Sequence, residues 1–450
     1  MARKNISLNQ PHIDWVNENN INLSGFVQSK IDEERRQEHW NTDTIIHDPG
    51  VELGENIENN HETIIYNRFQ HQYNPSWITT GATIPPESNA ISRQLSERRE
   101  LGDTVIRITP LCEQSTVRPD TGTRIHIDAN SKLNPLHISP VSQSLEDVPV
   151  QFKRLHKQYI HSFFTTFCSL QGRQLPKHES NVLMKAIKPA YQKRGIHLSD
   201  PSTYDNPSPT IQDDLLPILE IMASKSDDNS PQLRNSTEQN SDPLTPSYPE
   251  NEREVATKLL LTLQPLIEGD SVGNLGGESA LDVNKDEVTQ ITISGTYSES
   301  VGLMVNLILS TVYERMKAPD TNTVIVVDNA RYTAVNEDCG EYIESAIRYA
   351  RHYGISVQLN FKSIAELLQT QNTKGILDQT SHKLLFDSEN IPDAGKDMLG
   401  LTDIQREHLT TGILRNTNTD TSIKTHGNCA LHIAGSGWYP LRTQLMNPEN

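Results

Sequence analysis

Cysteine, aromatic residues and long apolar runs are all scarce in this chain of 450 residues, in which aromatics make up only 6%. The four cysteines lie far apart, with no CxxC pair and no histidines at zinc-site spacing. This spacing predicts a cytoplasmic protein with reduced thiols and no structural zinc. The cysteines are Cys112, Cys168, Cys339 and Cys429.

No stretch of the sequence is apolar enough to cross a membrane. The most apolar segment, 301–312, is interrupted by Asn306, Ser310 and Thr311 and is far shorter than the ~18–20 residues that a span requires. The amino terminus carries basic residues with no apolar core after them, so we expect no secretory signal. Attachment to the inner face of a membrane would therefore depend on partners.

Positive charge is also in deficit. The chain has 40 Lys and Arg against 58 Asp and Glu, a formal net charge of −18, which excludes a chain-wide basic surface for nucleic acid. Any contact with DNA must come from a local patch. The most basic stretch, a candidate DNA-facing or solvated helix face, contains Lys153, Arg154, His156, Lys157 and His161.

The first forty residues have the pattern of a strand followed by two helices. Residues 4–8 alternate polar and apolar side chains, and the second helix carries one apolar face. This order resembles the ribbon-helix-helix DNA-binding domains, which dimerise through the strand and insert it into the major groove. The resemblance implies that Arg3, Asn5 and Ser7 face the bases, while a small dimerisation or docking arm is the alternative. Residues 41–61 are polar and read as a linker.

A degenerate phosphate-binding loop follows a predicted strand end at 77–80. Strand, eight-residue loop, helix and strand succeed one another, as in the pattern GxxxxGK[ST]. Proline and glutamate replace the second glycine and the lysine, so the loop loses a backbone donor and gains a negative charge where phosphates would lie. The predicted vestigial nucleotide-binding residues are Gly81, Ala82, Thr83, Pro86, Glu87 and Ser88.

The segment 324–327 is a continuous apolar run that ends in Asp328, which is typical of a buried parallel strand carrying a Walker B aspartate. Active P-loop proteins of such families usually place a glutamate next, but Asn329 stands here and cannot accept a proton. We therefore predict no catalytic residue, with Asp328, Asn329 and Lys362 as vestiges of a site.

These segments together resemble, over about residues 62–445, the motor half of TraC-like conjugative-transfer ATPases of type IV secretion in the HerA/FtsK superfamily. The resemblance rests on several segments in family order, among them TTGATIPPESNAISRQL, DTVIRITP, IHIDANSKLNPLHISP, VIVVDNA and KSIAELLQ. The departures fall on the chemistry. Besides Pro86, Glu87 and Asn329, Thr109 replaces a strand-end aspartate and Lys362 replaces a glutamine.

The resemblance implies a RecA-like α/β P-loop core, with a mainly parallel sheet flanked by helices, an all-helical insertion and a small amino-terminal strand-helix-helix arm. The predicted boundaries are an arm at 1–40, a linker at 41–61, the first part of the core at 62–150, an insertion at 151–268 with a disordered loop at 224–253, and the rest of the core at 269–450.

The function implied is that of a catalytically inactive relative of DNA-transfer ATPases, acting as a structural or regulatory partner. We expect no cofactor, with ATP and Mg²⁺ bound only if the altered loop retains affinity. The implied partners are an active homologous ATPase, a secretion-channel component and DNA, in a dimer through the arm or a hexamer. The alternatives are an active ATP-dependent translocase with an unorthodox loop and a DNA-binding regulator acting through the arm.

Overall fold

The fold of the described residues is built on one large sheet. The computed structural model describes residues 10–11, 27, 40, 51–57, 62–66, 75–81, 87–110, 123–128, 131–139, 149–224, 248–268, 275–279, 281, 289–293, 300–316, 322–386, 388, 390–415 and 426–444. Within these ranges the sheet has eleven strands, in the order β2-β1-β11-β10-β9-β3-β8-β7-β4-β6-β5. The strands are β1 (Val51–Asn56), β2 (Glu62–Tyr66), β3 (Trp77–Thr80), β4 (Thr104–Pro110), β5 (Thr123–Ile127), β6 (Thr289–Ile293), β7 (Thr323–Val327), β8 (Ile355–Phe361), β9 (His382–Phe386), β10 (His426–Ile433) and β11 (Gly437–Gln444).

Helices occupy most of the connections between these strands. They are α1 (Glu87–Glu100), α2 (Pro149–Leu170), α3 (Lys177–Lys193), α4 (Leu216–Ala223), α5 (Glu250–Leu263), α6 (Pro265–Glu268), α7 (Val301–Arg315), α8 (Glu337–Ala350), α9 (Ile364–Gln369), α10 (Thr373–Gln379), α11 (Asp393–Leu399) and α12 (Asp403–Arg415). None of the helices in the described ranges is long and apolar enough to span a bilayer.

The strands from β9 to β5 run parallel to one another, and β10, β11, β1 and β2 extend the sheet in antiparallel pairing. The central strands β7 and β8 are buried along their whole length. Their apolar, β-branched residues fit a strand that is covered on both faces. Parallel pairing also brings the carboxyl ends of β3, β7, β8 and β4 to one edge of the sheet, which is where α/β proteins bind ligands.

The two faces of the sheet differ in chemistry. One face of the sheet meets α7 and α8, and the side chains of Ile106, Ile108, Ile325 and Val327 on this face belong to the larger core. The other face packs on α1, with Val105, Val324 and Val326 against Ile91 and Leu95 in a smaller core. Because side chains alternate along a strand, this second face also receives Arg107 and Gln358. The face under α1 is therefore partly polar although it is buried.

Two predicted boundaries differ from the structure. Residues 51–56 of the predicted 41–61 linker form β1, which pairs with both β2 and β11. The buried Val51 and Leu53 explain the difference, since their apolar side chains join the smaller core. Most of the predicted disordered loop 224–253 lies outside the described residues, but its last residues start α5, which begins at Glu250.

The predicted amino-terminal arm lies outside the described residues except for residues 10, 11, 27 and 40. Trp40 is 5% exposed and belongs to the larger core. Its ring packs edge-on against His408 of α12 at 5.1 Å between centroids. The polypeptide is therefore anchored on the body at the residue where the predicted arm ends.

A buried histidine makes the stability of this fold sensitive to acid. The ring of His382 is buried and stacks on Trp77 with 4.7 Å between centroids. Burial, and then the charge of Arg98, lowers the pKa of His382 to about 3. Protonation thus favours the unfolded chain, so the stability due to neutral His382 is full above the unfolded pKa of about 6.5 and is lost as the pH falls toward 3.

We expect the free energy of unfolding to decrease by about 3 kcal/mol between pH 6.5 and 4 through this group. The variant His382→Phe keeps an aromatic ring on Trp77 and does not titrate, so its decrease should be smaller by that amount. Urea unfolding at several pH values measures the difference. If the free energy of unfolding depends on pH to the same extent in both proteins, His382 is not the group responsible.

Candidate functional site

The predicted nucleotide site maps to the carboxyl edge of the parallel strands. Gly81 directly follows β3 with a positive φ of 84°, and its N–H donates to the carbonyl of Phe361 at the end of β8 over 3.0 Å. The helix after the loop begins at Glu87, as the P-loop pattern requires. Ala82, Thr83 and Pro86, and the side chains of Glu87 and Ser88, lie outside what the structure describes.

Asp328, the predicted Walker B aspartate, follows the last residue of β7 and is already engaged by neighbouring strands. Arg107 Nε of β4 donates to its Oδ2 over 2.6 Å, and Thr109 Oγ1 donates to the same oxygen over 3.2 Å. Asn360 Nδ2 of β8 donates to Oδ1 over 3.0 Å. Both carboxylate oxygens therefore accept hydrogen bonds from within the protein.

The register of the sheet explains why these four residues meet. Ile108 of β4 and Leu359 of β8 both pair with Val327 of β7, so the next position on each strand lies beside Asp328. The chain of polar contacts continues along this face of the sheet. Gln358 Nε2 donates to Asn360 Oδ1 over 3.2 Å. The amide of Asn360 is thereby oriented with its NH₂ group toward the carboxylate.

Arg107 and Asp328 form a buried ion pair, since each side chain is only 10% exposed. Removing two charges from water is costly, and the attraction between them offsets this only when the remaining donors and acceptors are satisfied. Here Arg107 Nη1 also donates to Ser92 Oγ on α1 over 3.1 Å. Thr109 contributes a neutral donor to the carboxylate, whereas an aspartate at that position would repel it.

Asn329, which follows Asp328, has a left-handed backbone with φ and ψ both at 50°. It is 5% exposed, and its Oδ1 accepts no hydrogen bond from the described part of the chain. A carboxamide has no basic atom that could take a proton from water. The position next to the aspartate therefore lacks a general base.

Lys362 lies at the end of β8, where α9 starts. Its backbone N–H donates to Glu366 Oε2 over 2.8 Å, while Ser363 Oγ accepts from the N–H of Glu366 over 3.2 Å. Ser363 therefore caps the first turn of α9, and the Glu366 carboxylate accepts from the residue that precedes the cap. Glu366 also lies 3.3 Å from the guanidinium of Arg331. The described contacts of Lys362 are thus those of a helix terminus.

The basic stretch of α2 does not present one continuous surface. His156 is buried, and its Nε2 lies 2.8 Å from the hydroxyl of Tyr191. His161 lies 3.7 Å from Asp338 and 3.0 Å from the hydroxyl of Ser180, while Lys157 is exposed. The side chains of Lys153 and Arg154, like Arg3, Asn5 and Ser7 of the arm, lie outside what the structure describes.

The residues at Asp328 do not fit a magnesium ion. An ion on Oδ2 at the usual ~2.1 Å would lie within about 4.7 Å of Arg107 Nε, because that nitrogen is 2.6 Å from the oxygen. At this distance and an effective dielectric constant of ~20, a doubly charged ion and the guanidinium repel by about 7 kcal/mol. Elsewhere in the described ranges, no group of three His, Cys, Asp or Glu side chains is placed to hold a metal.

Arg107 is the decisive residue that the sequence analysis does not single out. It interrupts the apolar run of β4, where Val105, Ile106 and Ile108 are all buried. A charged residue inside a buried strand requires a partner of opposite charge. In the sequence, Asp328 at the end of β7 is an acid of the predicted site that could serve as this partner. The charge of Arg107 within an apolar strand was therefore a signal that pointed to a buried ion pair.

Comparisons with known proteins support the fold. Neither protein-family models nor curated proteins give a match to this chain. Among solved structures, VirB4 of Thermoanaerobacter pseudethanolicus superposes with a TM-score of 0.64 at 19% identity, covering 90% of this chain and 98% of that one. The chain has the fold of VirB4. The predicted α/β core of RecA-like P-loop type is therefore confirmed.

A second solved structure, plasmid coupling protein TrwB in complex with the non-hydrolysable GTP analogue GDPNP, aligns with a TM-score of 0.44 at 11% identity. That alignment covers 84% of this chain and 86% of TrwB.

A double-mutant cycle tests the ion pair. Asp328→Asn leaves the Arg107 charge buried without its counter-ion and should cost about 3 kcal/mol of unfolding free energy. Arg107→Met should cost a similar amount for the converse reason, but the double variant should recover about 2 kcal/mol of the summed loss. Chemical denaturation measures all four proteins. Strict additivity of the two losses would contradict the pairing.

The matched control is the surface pair of Arg348 and Glu344, one turn apart on α8, with the arginine side chain 42% exposed. Its coupling energy should stay within about 0.5 kcal/mol.

Proposed function

We propose that this chain is a catalytically inactive relative of the conjugative-transfer ATPases, acting as a structural or regulatory partner in DNA transfer. The observation that carries the proposal is the occupation of Asp328. Its two oxygens accept from Arg107, Thr109 and Asn360. Oδ2 accepts two of these bonds and Oδ1 accepts one, and a magnesium ion on this carboxylate would also be repelled by the Arg107 charge 2.6 Å away.

The altered loop supports the same conclusion from the sequence. Pro86 removes one backbone N–H from the phosphate cradle, and Glu87 puts a carboxylate where a lysine would neutralise the β- and γ-phosphates. Asn329 then leaves the attacking water without a base. Pro86 and Glu87 thus act on phosphate binding, the contacts of Asp328 act on metal binding, and Asn329 acts on proton transfer, so reversing any one of these effects leaves the site inactive.

The setting of the proposed role comes from the fold and the sequence motifs. The fold matches VirB4 along most of both chains. We infer a place beside an active homologous ATPase in a ring, or against a component of the secretion channel, where an inactive subunit contributes its surfaces and not hydrolysis. The competing functions are an active translocase with an unorthodox loop and a DNA-binding regulator that works through residues 1–40.

We expect no binding of ATP to the wild-type protein by calorimetry, with or without Mg²⁺, and no phosphate release above buffer. The physical reason is the combined loss of the loop lysine and of a metal-binding carboxylate. Micromolar affinity for MgATP would favour the active translocase and contradict the proposal.

A reconstruction of the loop gives a positive control for that result. Pro86→Gly with Glu87→Lys should restore weak, metal-independent binding of nucleotide, because the cradle regains one N–H donor and a cation. Hydrolysis should still be absent in this variant, since Asn329 remains. Calorimetry and a phosphate-release assay on the same preparation separate the two effects.

Removal of the arm separates the scaffold function from the regulator. We expect a variant lacking residues 1–39 to keep its melting temperature and its association with an active homologous ATPase, because the anchoring Trp40 is retained against His408. Gel filtration of the mixed subunits measures the association. The DNA-binding regulator would be favoured by two results together: the full-length protein binds a specific DNA sequence that the truncated variant does not bind, and neither protein associates with an active ATPase.

A further inference from the structure

Arg107 joins two elements of the site that no main-chain pairing connects. Its Nε binds Asp328 after β7, and its Nη1 binds Ser92 Oγ in the second turn of α1. The guanidinium is mostly buried, as is the carboxylate. One side chain of β4 thus ties the helix after the loop to the end of the Walker B strand.

In active P-loop proteins, this tie is made by a metal ion. The magnesium ion is held by the Ser or Thr that begins the helix and by the Walker B aspartate. Ser88 has that position in the sequence, and Ser92 lies four residues later, on the same face of α1. Arg107 therefore bridges the same helix and the same strand end that the metal bridges.

We propose that the Arg107 guanidinium is a built-in replacement for the divalent metal ion at this site, holding α1 to β7 without nucleotide or metal. This inference rests on the proposed function, because a subunit that hydrolysed ATP would need the carboxylate for magnesium. It adds a consequence for regulation. A tie made by a side chain is not released by hydrolysis or product loss, so α1 and β7 keep one arrangement throughout the cycle of any partner.

The charges around the pair support a replacement of this kind. Ser92, Thr109, Gln358 and Asn360 are neutral, so the guanidinium and the carboxylate balance each other among these described neighbours. The planar fork of arginine supplies donors in two directions, which matches a carboxylate on one side and a hydroxyl on the other. A lysine would supply the charge but not both directed bonds.

Removal of the guanidinium should convert the site into one that accepts a metal ion. In Arg107→Met, Asp328 would be an uncompensated buried carboxylate with the Thr109 hydroxyl beside it, and oxygen atoms of these kinds are the ligands that hard cations prefer. The probe is Mn²⁺ alone, without nucleotide, titrated by electron paramagnetic resonance. We expect Arg107→Met to bind one additional Mn²⁺ about tenfold or more tightly than the wild type does.

Two control variants separate binding at Asp328 from non-specific binding of Mn²⁺ to the acidic surface of the protein. Arg351→Met removes an exposed arginine distant in sequence from the pair and should leave Mn²⁺ binding unchanged. Arg107→Met combined with Asp328→Asn should lose the additional ion. If Arg107→Met gains no Mn²⁺ beyond the wild type, or if the double variant keeps the ion, the replacement is wrong.

The wild-type protein tests the proposal even if Arg107→Met fails to fold. Its melting temperature should be the same in EDTA and in millimolar Mg²⁺ or Mn²⁺, because Arg107 already fills the role of the ion. Destabilisation by EDTA, or Mn²⁺ binding to the wild type that Asp328→Asn abolishes, would overturn the proposal. ATP hydrolysis by the wild type would instead overturn the proposed function, and an inactive protein with no gain of Mn²⁺ in Arg107→Met would overturn the replacement alone.

Discussion

A buried positive charge in the middle of a parallel sheet must have a negative partner, and this requirement organises the site edge of the protein. Arg107 lies on β4, between apolar neighbours that face the opposite side of the sheet. Asp328, at the end of the adjacent strand, is the acid within reach, at 2.6 Å. Once this pair forms, a metal ion on the carboxylate would meet the charge of Arg107, and the neighbouring Thr109 and Asn360 add two further hydrogen bonds to it.

The same constraint accounts for the polar character of the face under α1. A parallel sheet is usually apolar on both faces, and the face that meets α7 and α8 follows that rule. On the α1 side, Gln358 and Asn360 occupy alternate positions of β8 and pass hydrogen bonds toward Asp328. Each of these buried polar groups is hydrogen-bonded to the next one. A helix can therefore cover this face while the carboxylate keeps its hydrogen-bond partners.

The parts of the fold that follow from local pattern were predictable. The valine-rich run at 324–327 forms β7 and the segment after the loop forms α1, while the confirmed α/β class is the one that the resemblance to the transfer ATPases implies. The polar composition of residues 41–61, with Pro49-Gly50, Gly54 and Asn59-Asn60, predicts a linker where the structure has the strand 51–56. In the structure this strand pairs with β11, with Glu55 opposite Arg442, and no local pattern connects positions so far apart in sequence. The altered nucleotide site was predicted from the replacement of single residues. The effect of Glu87 on phosphate binding stays a prediction, because its side chain lies outside what the structure describes. The charged Arg107 inside an apolar strand signals that an acid must lie beside it, but the identity of that acid could not be derived, because the pairing of β4 with β7 joins residues 221 positions apart.

The proposed replacement of the metal ion by Arg107 can be observed directly in a crystal of the wild-type protein grown with millimolar Mn²⁺ and a non-hydrolysable ATP analogue, with anomalous scattering recorded to locate manganese. Arg107 should lie within hydrogen-bond distance of both Asp328 and Ser92, with no anomalous peak beside the carboxylate. Manganese bound to Asp328, with Arg107 turned away from it, would show that the replacement is wrong.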